Sequence, residues 1–360
     1  RILYQIYGAE IKMTIAVGLS GGVDSSVSAL ILKNQGHDVI GITMKLWRGK
    51  YRGGEKEACF GAHEAEHIAA AESFAGSIGI GYRVFDCSEE YDKTIISYFR
   101  DTYLSGRTPN PCVYCNAIMK FGLLPRLAAE GGLKFDRFAT GHYARVVEKD
   151  GRFKLLRAVD EAKDQSYFLY RLSQEQLKRH IFPLGSLTKA EARDIAREYN
   201  LTAAERPDSQ DFYSGDTAEL IGAGDRPGEI VDLDGRNVGR HTGFWKFTIG
   251  QRKGLGIGGA GEPYYVGDLD AARNRVVVGR VNDAVKTSLK LTDVNWVSIA
   301  PTDEEIPCRV KVRSASRLVD GVYRRGECFF EKGVFGVAPG QSAVVYASDS
   351  DELLLGGIIE

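Results

Sequence analysis

The sequence predicts an α/β fold that begins with a doubly wound parallel sheet and continues into two small β-rich modules, the last of them barrel-like. Strand and helix patterns alternate through the first half of the chain, which is typical of a parallel sheet. After about residue 206 the pattern changes to short alternating strands separated by Gly, Asp and Asn. A break near 281–290 divides this second half. We therefore expect domains at 13–212, 213–282 and 283–360.

The elements of the first region follow from hydrophobic periodicity. The apolar run "MTIAVGL" predicts the first strand, and a helical face made by Val23, Val27 and Leu30 follows it and stops at Gly36. Further strands are predicted at "DVIGITMKLW", "YRVFDCS" and "FDRFATGHYARV". Helices are predicted at Glu64–Ile78, Tyr91–Leu104, Ser173–His180 and Thr188–Asn200, the last opened by a Thr188–Glu191 capping box.

Composition limits the classes of partner. The 360 residues are 43% hydrophobic and 26% charged, and the net charge is −1, so no global field draws the protein to nucleic acid or membrane. Nucleic acid would have to be bound by local basic patches. No apolar run approaches the ~20 residues of a membrane span, so no membrane partner is expected. Residues 1–12 lack the apolar core of a signal peptide, and we interpret them as a wrongly assigned start before Met13.

The six cysteines indicate the compartment. They stand at positions 59, 87, 112, 115, 308 and 328, too few and too scattered for a secreted disulfide scaffold. A reducing, cytoplasmic location is expected. Cys308 and Cys328 fall in predicted strands, where they are expected to be buried.

A glycine-rich turn, Ser20–Ser25, joins the first strand to the first helix. Gly21 and Gly22 allow the backbone to approach a ligand closely, and the backbone N–H groups at the helix start favour an anion. Asp24 beside a phosphate would require a cation such as Mg²⁺ between them. The Walker and dinucleotide-binding patterns are absent, so γ-phosphate transfer and dinucleotide binding are not indicated.

This Ser-Gly-Gly-x-Asp-Ser turn resembles the PP-loop of the ATP pyrophosphatases, whose domain has the adenine nucleotide alpha hydrolase-like fold. Later segments are similar to one subfamily, the tRNA-specific 2-thiouridylases. The matching stretches are "YLSGRTPNPCVYCNAIMKFG", "FATGHYAR", "KDQSYFLYRLSQEQLKRHIFPLG", "TKAEARDIARE", "DSQDF", "FTIGQRKGLGI" and "YYVGDLDAARNRVVVG". The resemblance extends from about residue 13 to the end of the chain.

The resemblance implies ATP-dependent replacement of O2 of the wobble uridine by sulfur, with release of pyrophosphate and AMP. Cys115 matches the family's catalytic cysteine, and a helix start near Asn116 would lower its pKa. The implied ATP contacts are Gly18, Leu19, Ser20, Gly21, Gly22, Val23, Asp24, Ser25, Met44 and Gly141. From the residues alone, Met44 fits a core position equally well.

The implied partners are tRNA and a sulfur donor or relay protein. Positions that match tRNA contacts of the family are Asn110, Pro111, Cys112, Lys163, Asp164, Gln165, Arg313 and Ser314. Basic clusters such as "RVKVRSASR" and "GQRKGLG" suit phosphate contacts. The target uridine would have to be flipped out of its stack to reach ATP.

The chain departs from the family at the two cysteine positions. The family pairs its first cysteine with a second one in a "DSxxxCF" block, which carries the persulfide and ends disulfide-linked to the first. Here the block reads "DSQDFYS", and Tyr213 occupies the cysteine position. Cys112 stands where the family usually has aspartate.

Three interpretations of Cys112 and Cys115 remain open. Cys112 replaces the missing partner thiol as a second catalytic cysteine, or both cysteines ligate an iron–sulfur cluster completed by Cys59 or Cys87. A structural zinc site is the third interpretation. His63 and His67, spaced by four residues on a helix, form a weaker metal pair, and a solvated helix start is favoured for them.

Two other functions compete with thiolation of the wobble uridine. One is a related PP-loop enzyme: an amide ligase, a thiolase that acts on another base, or a thiolase that acts on tRNA with an iron–sulfur cluster. The other is a tRNA-binding relative that has lost catalysis, which the replacement of the second cysteine by Tyr213 would suggest.

Overall fold

The computed structural model describes residues 12–201, 211–258 and 262–360. The expected false start at residues 1–12 lies almost wholly outside this part, as do Asp208–Gln210 of the "DSQDF" block. No helix of the described residues is long and apolar enough to cross a membrane.

The first region alternates strands and helices as predicted. Its strands are β1 Thr14–Gly18, β2 Asp38–Lys45, β3 Ala58–Phe60, β4 Gly81–Asp86, β5 Arg137–Ala139, β6 Ala144–Lys149, β7 Arg152–Arg157, β8 His180–Ile181 and β9 Asp211–Tyr213. Its helices are α1 Val23–Asn34, α2 Glu64–Ser77, α3 Ser88–Tyr91, α4 Ser97–Leu104, α5 Pro111–Tyr114, α6 Leu124–Glu130, α7 Gln174–Arg179 and α8 Lys189–Glu198. Two π-helical segments, Asp92–Ile96 and Cys115–Leu123, connect α3 to α4 and α5 to α6.

The central sheet is parallel, in the order β4-β2-β1-β5-β8. The residues of its middle strand β1 are mostly buried, because helices cover both faces of such a sheet. Strands β2 and β5 lie on opposite sides of β1, so the strand order reverses at β1. Ligands of doubly wound sheets bind at such a point. The predicted capping box at Thr188 and Glu191 is present at the start of α8.

The stretch "FDRFATGHYARV" does not form the single strand that we expected. It contains β5, which ends at Ala139, and β6, which begins at Ala144 in a different sheet. The hairpin β6–β7 pairs through β7 with the last strand of the chain, where Leu155 lies opposite Leu353. Between the two strands, Gly141 closely approaches the turn after β1.

The second half is rich in short strands, as predicted. Helix α9 Thr217–Ile221 precedes β10 Gly228–Val231, β11 Asn237–His241, β12 Tyr265–Asp270 and β13 Arg275–Gly279, which form a sheet in the order β11-β10-β13-β12. One pair in this sheet, β10–β13, is parallel. The long connection after β11 leads to the edge strand β12, and β13 then returns antiparallel to β12 and lies beside β10.

The last module is a closed barrel of six strands. They are β14 Val285–Trp296, β15 Ile306–Lys311, β16 Val319–Arg324, β17 Glu327–Phe335, β18 Ser342–Ala347 and β19 Glu352–Ile359. Their order is β14-β17-β16-β15-β18-β19, and a β14–β19 pairing closes it. Cys308 and Cys328 are buried inside this barrel, as the sequence predicts.

Candidate active site

A cavity of about 540 Å³ lies at the carboxyl ends of β1 and β2. Parts of the chain far apart in sequence meet around it. Its lining includes Gly18–Ser25, Met44, Cys59, Cys115, Lys120, Thr140–Tyr143, Lys163–Gln165 and Ser314. This volume is within the usual range for sites that hold a small molecule.

The turn after β1 forms one wall of the cavity. Gly21 has φ +76°, and a Cβ at this position would lie 2.5 Å from the backbone oxygen of His67, so the turn requires glycine here. The backbone N–H of Ser20 donates to the hydroxyl of Ser25 at 3.1 Å, and that hydroxyl donates to the carbonyl of Gly22. Among the described side chains none caps α1 at Gly22, which leaves its N-terminus suited to an anion.

Asp24 already has a cationic neighbour. The Lys189 ammonium lies 2.8 Å from both carboxylate oxygens of Asp24, and the Tyr143 hydroxyl donates to one of them at 2.9 Å. Lys189 therefore supplies a positive charge beside Asp24, where the sequence analysis expected a cation such as Mg²⁺. Mg²⁺ is not needed to neutralise Asp24, although it would accompany a bound nucleotide.

Met44 and Gly141 lie on the cavity lining. Met44 is partly buried and packs against two groups of buried hydrophobic side chains, so it belongs to the core as well as to the cavity lining. A Cβ at Gly141 would lie 2.7 Å from the backbone of Asp24 and Ser25. Glycine at this position lets the "ATGHY" segment touch the turn after β1.

Cys115 opens onto the cavity from a helix that starts earlier than predicted. The helix begins at Pro111, not near Asn116, and Cys115 is the first residue of its π-helical segment. Burial raises the pKa of the Cys115 thiol to about 11, so the predicted lowering of the pKa by a helix start is wrong. The charge of Lys120 opposes this rise.

Lys120 was missed by the sequence analysis. In a π-helix the side chains at i and i+5 are close in angle, so Cys115 and Lys120 lie on one face, which they would not do in an α-helix. Burial raises the pKa values of the thiols of both Cys112 and Cys115, and the lysine charge offsets part of this rise. Lys189 was missed as well, because 165 residues separate it from Asp24.

Cys112 does not belong to the described lining of the cavity, and neither do Asn110 and Pro111. Burial raises the pKa of the Cys112 thiol to about 12. Asn110 is buried, and its side-chain amide donates to the Tyr167 hydroxyl at 3.3 Å. These three positions therefore lie at the start of the helix that carries Cys115, outside the described lining of the cavity.

The remaining predicted tRNA contacts divide into two groups. Lys163, Asp164, Gln165 and Ser314 line the cavity, so a loop of the barrel reaches the turn after β1. The Asp164 carboxylate accepts from the backbone N–H groups of Ala158 and Ser166 and is almost fully buried. Arg313 lies behind the rim, where it donates to the Ile249 carbonyl at 2.6 Å.

The described cysteines and histidines do not form a metal centre. Within 12–201, 211–258 and 262–360, no three Cys, His, Asp or Glu side chains are arranged to hold one metal ion. Neither Cys59 nor Cys87 therefore completes a cluster site with Cys112 and Cys115. His63 pairs with Glu66 and His67 with Glu57, and His67 also lines the cavity.

Comparison with known proteins covers nearly the whole chain. The family model described as "tRNA methyl transferase HUP domain" matches residues 13–213. A "tRNA methyl transferase PRC-barrel domain" matches residues 221–280, and an "Aminomethyltransferase beta-barrel domain" matches residues 286–359.

Relatives of similar length are identical to this chain at about two-fifths of the aligned positions. The tRNA-specific 2-thiouridylase MnmA of Endomicrobium trichonymphae is 43% identical, over 97% of this chain and 99% of the relative. The protein of the same name from Picosynechococcus is 44% identical, over 96% of this chain and 98% of the relative. The chain belongs to the tRNA-specific 2-thiouridylase family.

Proposed function

We propose that this protein catalyses the ATP-dependent 2-thiolation of the wobble uridine of tRNA. One observation carries the proposal: the phosphate-binding turn Gly18–Ser25 and the Cys115 thiol line the same cavity. An activating nucleotide and a sulfur nucleophile can therefore act on one base. Membership in the 2-thiouridylase family supports this choice over an amide ligase or a tRNA-binding relative without catalysis.

The first step is adenylation. The uracil C2 carbonyl is a poor electrophile, and transfer of AMP from ATP to its oxygen makes that oxygen part of a good leaving group. Pyrophosphate, the other product, would lie at the turn after β1 with its charge facing the N-terminus of α1. Lys189 offsets the Asp24 carboxylate next to it, and Mg²⁺ bound to the nucleotide would neutralise the pyrophosphate itself.

The second step needs a sulfur nucleophile at C2 of the activated uridine. Cys115 lines the cavity as a thiol that takes part in sulfur transfer, and although burial raises its pKa, the charge of Lys120 favours its thiolate, the reactive form. The sulfur comes from a donor or relay protein. The described thiols do not provide a ligand set for an iron–sulfur cluster, so cysteine is the sulfur carrier in this proposal.

The tRNA would approach across the rim between the first region and the barrel. Lys163, Gln165 and Ser314 all line the cavity, so a flipped uridine would pass beside them. Arg313 would hold the loop that carries Ser314 through its bond to Ile249. The cytoplasmic location expected from the cysteines agrees with a tRNA substrate and stays a prediction.

The experiment is a thiolation assay with unmodified tRNA, ATP, Mg²⁺ and a low-molecular-weight persulfide. Mass spectrometry of the digested nucleosides measures 2-thiouridine, and chromatography measures the nucleotide products. We expect one AMP for each 2-thiouridine formed. Conversion of ATP to ADP, or sulfur on a different base, would contradict the proposal.

A further inference from the structure

Two thiols, not one, open onto the cavity. Cys59 and Cys115 are both part of its lining, whereas Cys112 and Cys87 are absent from its described lining. Cys59 is exposed, while Cys115 is only 8% exposed. An external sulfur donor can therefore reach Cys59 directly, and Cys115 is accessible only from within the cavity.

The strand that carries Cys59 is paired with the strand that carries Tyr213. Strand β3 runs parallel to β9, with Ala58 opposite Asp211 and Phe60 opposite Tyr213. Cys59 is therefore next to the position where the family has its second cysteine. Ala58 and Phe60 are buried and Cys59 is exposed, so Cys59 faces the other side of this ribbon from Phe60.

The Tyr213 side chain packs on the face of the β3–β9 ribbon opposite to Cys59. Its ring is buried and lies 5.8 Å from the ring of Phe60. Its hydroxyl donates to the Glu219 carboxylate and accepts from the backbone N–H of Gly53 at 3.1 Å. The tyrosine has a packing role there and supplies no thiol, so a second catalytic thiol would have to come from another strand.

Cys59 is also close enough to Cys115 to affect it electrostatically. Burial is the main cause that raises the pKa values of the Cys115 and Cys112 thiols, and the neighbouring Cys59 adds to this rise. Burial acts to lower the pKa of Lys120, which is also part of the lining, but the three neighbouring thiols raise it. The charge of Lys120 in turn favours the thiolate form of Cys115 during sulfur transfer.

We propose that Cys59 is the second catalytic thiol of this enzyme, the one that receives sulfur from the donor and becomes disulfide-linked to Cys115. The proposal rests on the 2-thiolation function given above. It assigns to β3 the role that the family's second cysteine has on the segment corresponding to β9. Cys112 is absent from the described lining of the cavity, so the proposal gives it no direct part in the transfer.

The atoms and electrons balance with a persulfide donor and a dithiol reductant. The Cys59 thiolate attacks the outer sulfur of the donor persulfide and releases the donor thiolate, which leaves a persulfide on Cys59. The terminal sulfur attacks C2 of the adenylated uridine, and AMP leaves with the C–O electron pair. The Cys115 thiolate then attacks Sγ of Cys59, and the S–S bond electrons stay on the sulfur bound to C2. A dithiol reduces the Cys59–Cys115 disulfide for the next turnover.

The test uses the full-length protein with tRNA, ATP, Mg²⁺ and glutathione persulfide. Cys59→Ser should lower the rate of 2-thiouridine formation at least about 100-fold. Inorganic sulfide, which needs no carrier thiol, should restore product in this variant. Cys308→Ala, which removes a buried barrel thiol, is the matched control and should keep the rate within about threefold.

A second measurement identifies the disulfide. After a single turnover without reductant, alkylation and peptide mass spectrometry should find a Cys59–Cys115 bond in the wild-type protein and in Cys112→Asp. A Cys112–Cys115 bond, or a Cys59→Ser variant that works at the wild-type rate with persulfide, would overturn the proposal. Failure of the wild type with both persulfide and sulfide would instead contradict the 2-thiolation function itself.

Discussion

The Lys189 ammonium lies 2.8 Å from both carboxylate oxygens of Asp24, on the turn that is proposed to hold pyrophosphate. Lys189 is the first residue of α8, and Asp24 is in the first turn of α1. The Lys189 side chain is 10% exposed and that of Asp24 is 28% exposed. This ion pair joins two helices of the first region and at the same time sets the charge of the phosphate site.

Lys189→Met should therefore lower both stability and ATP use. Removing one partner of a mostly buried pair leaves the other charge without compensation and costs about 3 kcal/mol of the free energy of unfolding. Urea denaturation measures this loss. The double variant Asp24→Asn/Lys189→Met should be more stable than Lys189→Met alone, and equal stability of the two would contradict the pairing.

Gly141→Ala should impair nucleotide binding. The added Cβ would lie 2.7 Å from the backbone of Asp24 and Ser25, so the turn after β1 would have to shift. We expect at least about a tenfold weaker affinity for ATP, measured by calorimetry, because the N–H groups of the turn would be displaced from the phosphates. The control is Gly76→Ala in α2, where a Cβ meets no atom within 4 Å. Equal ATP affinity of both variants would show that Gly141 does not support the site.

The reactivity of Cys115 should depend strongly on pH. Burial raises the pKa of its thiol to about 11, so only a small fraction is thiolate at neutral pH. The rate of alkylation of Cys115 by iodoacetamide, followed by peptide mass spectrometry, should rise about tenfold per pH unit between pH 7 and 9. Lys120→Met should slow the reaction at every pH in this range. A plateau below pH 8 would contradict the assignment.

Tyr213→Phe should affect stability but not the chemistry. The variant leaves the Glu219 carboxylate without one donor and the Gly53 N–H without its acceptor, which costs about 1–3 kcal/mol. Thiolation by the folded variant should match the wild type. Tyr265→Phe, whose ring packs on Phe335, is the matched control for loss of a tyrosine hydroxyl. A large loss of thiolation in Tyr213→Phe at unchanged stability would give Tyr213 a catalytic role.

Local patterns in the sequence predicted much of the fold and part of the site. The turn at Ser20–Ser25 and the capping box at Thr188 depend on residues adjacent in sequence, so they could be read directly. The helix start at Pro111 also had a local signal, since proline is favoured in the first turn, but the expected start at Asn116 overlooked it.

The features that the sequence analysis missed depend on long-range contacts or unusual helical geometry. The pairing of β7 with β19 joins segments about half the chain apart, and no periodicity encodes it. Lys120 lies beside Cys115 only because the helix is π-helical there. Cys59 could be noticed as a cysteine, but its position beside the Tyr213 strand required the β3–β9 pairing.

The most direct test of the account separates activation of the uridine from sulfur transfer. Cys115→Ser is incubated with unmodified tRNA, [α-³²P]ATP and a persulfide, and both adenylated tRNA and 2-thiouridine are measured. The account predicts that AMP is still transferred to tRNA with release of pyrophosphate, while no 2-thiouridine forms. Formation of 2-thiouridine by Cys115→Ser at the wild-type rate would contradict it.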